Sequence, residues 1–135
     1  MSLIFKIVDK AAWAAACEAG SFRGAEIDLA DGYIHFSTAD QLAETAAKHF
    51  SGRDGLLLVA VEEAALGAAL KYEPARQGQL FPHLYAALDP LMVAWVKPLP
   101  RDASGRHVVF KSLRSEPVVS DRSDPSSAGR PPPRA

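Results

Sequence analysis

Along residues 1–114, apolar and polar positions switch between strand-like runs and helical stripes. Leu3 to Val8 is a short apolar run with Lys6 inside it, which predicts a first strand. Asp9 offers an N-cap and Gly20 a stop. Between them Trp13, Ala16, Cys17 and Gly20 recur at helical spacing, so a helix is predicted with Cys17 on its buried stripe. Ser21 to Asp31 is polar and irregular, and Asp31-Gly32 marks a turn into a second strand, Tyr33 to Ser37. Thr38 and Gln41 have capping-box spacing, which starts a helix running to about Phe50 with Leu42, Ala46, Ala47 and Phe50 facing inward. After the break at Ser51 to Gly55, the uninterrupted run Leu56 to Val61 predicts a strand covered on both faces. A helical turn follows over Glu62 to Leu70, then an extended piece, Leu70 to Glu73, ended by Pro74. Gln79 to Tyr85 is left open, with Pro82 arguing for an edge or a loop. Leu91 to Lys97 and His107 to Phe110 are the last predicted strands.

Two early helices and five or six short strands make this an α+β domain. The pattern stops at Ser115. Residues 115–135 hold five serines and five of the ten prolines but no Leu, Ile or aromatic residue, which predicts a disordered tail. Fifteen Lys and Arg against sixteen Asp and Glu leave a formal charge of −1, which gives no support for nucleic-acid binding driven by bulk charge. One cysteine excludes an internal disulfide, and no run of ~18 apolar residues is present to span a membrane. Lys6 interrupts the N-terminal apolar stretch that a signal peptide needs, so the expected compartment is the cytoplasm.

Two motifs carry titratable groups. In Gly32-Tyr33-Ile34-His35-Phe36-Ser37-Thr38, strand alternation turns Ile34 and Phe36 inward and places Tyr33, His35 and Ser37 together on the other face. An imidazole beside a hydroxyl at a helix start can bind a ribose hydroxyl or a phosphate. The same residues also fit a purely structural role, with His35 bonded within a polar sheet face and Ser37 and Thr38 capping the helix. In Gln79-Leu80-Phe81-Pro82-His83-Leu84-Tyr85, His83 and Tyr85 again share a face if the piece is extended, as ligand contacts; the alternative is a packing corner with Phe81 and Leu84 in the core. Glu73 is either a positioning carboxylate or general base, or an exposed partner of Lys71 or an arginine. His35, His83 and Glu73 make a loose two-histidine, one-carboxylate set, but no local ligand pair fixes a metal, and none is expected. No Gly-x-Ser-x-Gly elbow is present.

The order of Ile4-Phe5-Lys6-Ile7, Trp13, Asp31 to Thr38, Gln41-Leu42, Leu56 to Val59, Tyr72-Glu73 and Phe81 to Tyr85 resembles the bacterial domain-of-unknown-function family 952 over about residues 3–110. That resemblance implies a fold like the ADP-ribosyltransferases: a split mixed or antiparallel sheet with two main helices, holding NAD in a cleft. NAD is thus a cofactor implied by fold resemblance alone. In transferases of the His-Tyr-Glu type, a first-strand His binds the NAD ribose, a second-strand Tyr stacks on nicotinamide, and a later Glu steers the ribose hydroxyl. Here Lys6 stands at the first position, Tyr33 or His35 near the second and Glu73 near the third, so the triad is not intact.

The expected cleft therefore comprises Lys6, Tyr33, His35, Ser37, Glu73, His83 and Tyr85. Lys6 would meet anionic oxygens and Tyr33 or Tyr85 would stack on a planar ring. His35, His83 and Glu73 are the candidate catalytic groups. The function expected is binding, with turnover left open, of a small nucleotide-like or phosphorylated ligand; a non-catalytic protein-interaction module is the alternative. A deep pocket joining both histidines favours the ligand and a flat surface favours the module. If the histidines serve one ligand, their rings must lie within about 10 Å, given bonds near 3 Å at each end.

Overall fold

Asp9 ends one element and begins the next. Strand β1 (Leu3–Asp9) runs directly into helix α1 (Lys10–Ala19), where the Asp9 carboxylate accepts from the Ala11 N–H at 2.9 Å. Gly20 closes the helix in the left-handed conformation, φ 79°. The computed structural model describes residues 2–75 and 78–108; the predicted tail and the Val109-Phe110 end of the last predicted strand lie outside them. Further elements follow in order: α2 (Glu26–Asp31), β2 (Ile34–His35), α3 (Ala39–His49), β3 (Leu56–Glu62), a 3₁₀ stretch (Glu63–Ala69), β4 (Leu70–Pro74), β5 (Leu80–Leu84), a 3₁₀ turn (Pro90–Met92) and β6 (Trp95–Pro98).

The strands form two three-stranded antiparallel sheets, ordered β1-β3-β6 and β2-β5-β4. Strand β3 is central in the first sheet and is buried on both faces, as its apolar run implies. Val59 and Val61 join Ile4, Val8, Trp13, the second sheet's Ile34 and Leu84, and Phe36 just after β2 in one core. Leu58 and Ala60 join Phe5, Ile7 and the α3 residues Leu42 and Ala46 in the other. The first sheet is thus a middle layer, with α3 on one side and α1 with the second sheet on the other. The two sheets meet at Phe5 and Ser37, which exchange both backbone hydrogen bonds at 2.8 Å.

Several expectations are corrected. Cys17 is exposed, because the ten-residue α1 packs through Trp13 and Ala16 alone and its next position rolls toward solvent. Ala47 is exposed for the same reason on α3. The polar segment before Gly32 contains a helix, α2, which buries Asp28 at 1% exposure. Leu91 is not in a strand, since Asp89 caps a 3₁₀ turn there and leaves Leu91 93% exposed. His107 forms an isolated bridge with Arg101 rather than a strand, and its Nε2 lies 2.9 Å from the Arg53 carbonyl.

Pro82, expected at an edge, lies in the central strand β5. The register explains the tolerance. Phe36 N–H donates to the Pro82 carbonyl at 3.0 Å, so residue 82 points its backbone groups toward β2 and away from β4. Strand β2 has ended at His35, and the missing proline donor faces only the Phe36 carbonyl.

Candidate functional site: two histidines on a shared sheet face

Antiparallel pairing of β2 with β5 sets His35 opposite His83 and Ile34 opposite Leu84. Extending this register by one residue sets Tyr33 opposite Tyr85. Ile34 and Leu84 turn into the core, so the two tyrosines and two histidines occupy successive rungs on the other face. The histidine rings are 5.5 Å apart, inside the limit a shared ligand requires. Tyr33 links the group, stacked on His83 at 4.1 Å and tilted against His35 at 4.6 Å and Tyr85 at 5.2 Å.

A carboxylate holds each imidazole at Nδ1. Asp28 Oδ1 is 2.6 Å from His35 Nδ1, and Glu73 Oε1 is 2.8 Å from His83 Nδ1. This contact fixes the ring's orientation and directs its other nitrogen elsewhere. For His35 that nitrogen, Nε2, meets Asp31 Oδ2 at 3.0 Å, so both ring nitrogens face carboxylates. The two rings differ in access: the His35 side chain is 30% exposed and that of His83 only 3%.

Glu73 is not simply an exposed partner of Lys71 or an arginine. It accepts from Tyr85 Oη at 2.7 Å as well as facing His83, and these two bonds hold its carboxyl below the usual range. The Tyr85 bond to Glu73 in turn pushes that phenol up to about 12. Burial, with help from the bond and charge of Glu63, does the same to Tyr72, whose hydroxyl donates to Glu63 at 2.6 Å. Burial and the charges of Asp31 and Glu73 raise Tyr33.

Lys6 is the principal revision to the expected cleft. Facing the first core from β1, its ammonium lies 3.0 Å from Asp28 Oδ2 and donates to the His35 carbonyl at 3.0 Å. Burial pulls its pKa below the ordinary value, against the opposing effect of Asp28. Lys6 is therefore a buried structural cation with its partners in place, not a free anion receptor. Ser37 also stands apart from the ring cluster, its hydroxyl 2.9 Å from that of Thr45.

Asp28 is the residue that sequence reasoning missed. Its oxygens receive Lys6, the His35 N–H at 3.1 Å, the His35 ring and the Ala25 N–H at 2.7 Å. Burial raises its pKa, but His35, Lys6 and Ala25 outweigh that and bring it from 3.8 to about 2. The one available signal was Lys6 itself, since a lysine inside a core strand demands a buried counter-charge.

Beside the ring cluster is an open depression of about 420 Å³, lined by residues that include Ser21, Arg23, Gly32, Tyr33, Tyr85 and Ala87. Asp28 contributes to its floor, but neither histidine lines it. It is thus neither a deep pocket joining both imidazoles nor a flat surface. Among the described residues no three His, Cys, Asp or Glu side chains are grouped to hold a metal ion.

A family described as a protein of unknown function, DUF952, matches residues 7–96, most of the chain and all of both histidine motifs. The chain belongs to DUF952. A crystal structure of the relative CC0527 from Caulobacter crescentus is 45% identical with a TM-score of 0.81, over 84% of this chain and 99% of that one. The solution structure of CC0527 gives 46% identity and a TM-score of 0.77, over 86% of this chain and 100% of that one. At that identity the two chains share the family's α+β architecture. No curated protein matches the chain. Among the described residues no helix is long and apolar enough to cross a membrane.

Proposed function

We propose that this DUF952 chain binds a small nucleotide-like ligand in the depression beside Tyr33 and Tyr85, with His35, held between Asp28 and Asp31, packed against Tyr33 as a positioning residue. The observation that carries this reading is the convergence of Tyr33, His35, His83 and Tyr85 on adjacent rungs, with both imidazoles fixed by carboxylates at Nδ1. Two oriented imidazoles behind Tyr33, with the half-exposed Tyr85 beside it, give a fixed ring face on which a planar ligand can stack. The depression's volume of about 420 Å³ suits one small molecule, within the roughly 300–1,000 Å³ usual for such sites. His83 supports Tyr33 from below and is a positioning residue in this scheme, with Glu73 holding it. Because Lys6 is occupied, the reading does not include transfer from NAD in the manner of the His-Tyr-Glu enzymes. NAD stands simply as one nucleotide among those to be tried.

The test is a thermal-shift screen of nucleosides, nucleotides and dinucleotides. A ligand at a hundred times its Kd adds about 2.7 kcal/mol of stability. Tyr85→Leu should remove the shift while leaving the unliganded melting temperature close to that of the parent. Absence of any shift with millimolar ligand refutes the reading. The alternative, a protein-interaction module, draws support from Ile27 and Leu29 of α2, which are 56% and 65% exposed, Leu29 on the depression's rim.

A further inference from the structure

The nucleotide reading leaves open what meets the ligand's negative charge once Lys6 is excluded. We propose that Arg23 forms an anion subsite at the rim of the depression, and that the ligand is a nucleoside monophosphate with its ring against Tyr33 and Tyr85 and its phosphate against Arg23. This inference rests on the proposed binding role and adds the ligand's charge and orientation to it.

Three observations place Arg23. Phe22 and Leu88 exchange both backbone hydrogen bonds at 2.8 Å, and both side chains are buried. Alternation along that bridge turns the neighbouring residues Arg23 and Ala87 outward, and both line the depression. Immediately after Arg23, Gly24 adopts φ 117° and passes so close to Asp28 that an added Cβ would lie 2.6 Å from the Asp28 Cβ. The arginine is thus anchored on one side by the bridge and on the other by a glycine pressed against the buried carboxylate.

The charge balance assigns its role. Asp28, the carboxylate lining the depression, already has its oxygens facing Lys6, His35 and the Ala25 N–H. Among the described residues Arg23 has no carboxylate partner, so it is the surplus cation of the depression. Ala86 and Ala87 also line the depression, and among the described residues their N–H groups donate no backbone hydrogen bond. A guanidinium with nearby backbone donors is the arrangement that recognises a phosphate dianion.

Calorimetric titration of the full chain with AMP, GMP, CMP and UMP and with the parent nucleosides tests this. At least one monophosphate should bind about tenfold more tightly than its nucleoside, the scale of a single charge-assisted contact. Arg23→Gln should abolish that difference and leave nucleoside affinity and melting temperature unchanged, and Arg23→Lys should restore part of it. A difference that survives in Arg23→Gln, or nucleosides binding as well as their monophosphates, overturns the anion subsite. In either case nucleoside binding that is lost in Tyr85→Leu still upholds the ring site. Failure of every nucleoside and monophosphate to bind refutes both.

Discussion

Replacing Asp28 with Asn should expose how far the domain depends on one buried charge. The amide keeps the carboxylate's shape but leaves the Lys6 ammonium, 7% exposed, without its counter-ion. Breaking one side of a buried pair costs about 3–5 kcal/mol, because the remaining charge is stranded in the core. The carboxylate's own titration supplies a second estimate. A group that falls from 3.8 to about 2 on folding contributes roughly 2.5 kcal/mol at neutral pH. The folded value is depressed, so this stability is present above about pH 4 and is lost as pH falls toward about 2. Urea denaturation followed by far-ultraviolet ellipticity measures both effects. The parent should weaken across that acidic window, and Asp28→Asn should be weaker at pH 7 and flatter in acid. Raising the pH should shrink the variant's deficit, because Lys6 sheds its proton more readily once its partner is gone. Lys6→Met combined with Asp28→Asn should recover much of the loss. A single variant within about 1 kcal/mol of the parent at pH 7 would show that the pair does not support the fold as argued.

Three other perturbations probe separate parts of the structure. Gly24→Ala should destabilise the chain by about 1–3 kcal/mol in the same denaturation assay, because the new methyl must push against Asp28 at a positive φ; a neutral result would contradict the close approach. Cys17 should react with a thiol reagent in the folded protein as fast as a small exposed thiol, and protection until unfolding would return it to the core. Tyr72 and Tyr85 should contribute almost no tyrosinate absorbance at pH 10.5, since both are pushed up to about 12. Glu73→Gln should lower the ionisation of one of them, Tyr85, toward the normal range, and an ionisation unchanged by that substitution would refute the bond.

The elements that local chemistry specifies were legible in the sequence. Asp9 and Gly20 bracket α1, and Gln41 caps α3 by accepting from the Thr38 N–H at 3.0 Å. The continuous apolar run of β3 announced a strand buried on both sides. What escaped reading depended on partners far along the chain. Asp28 lies in a segment, Ser21 to Asp31, that reads as irregular, and it looks exposed until β1 brings Lys6 to it from 22 positions away. Pro82 looks unsuited to a central strand until the early end of β2 is known. The same holds for the site. The alternation within each histidine motif gave the right face, and the convergence of the motifs came from pairing across 48 positions. Lys6 carried the opposite lesson, since its residue type suggested a ligand contact that its burial removed.

Strand β2 is at the edge of its sheet, where the outward N–H and C=O of His35 would ordinarily offer a docking rail to a strand from another molecule. Asp28 takes that N–H and Lys6 donates to that carbonyl, at 3.1 and 3.0 Å. Two side chains thereby stand in for a neighbouring strand. The same ion pair that anchors His35 therefore also blunts an aggregation-competent edge, and losing it would leave the chain stickier as well as weaker.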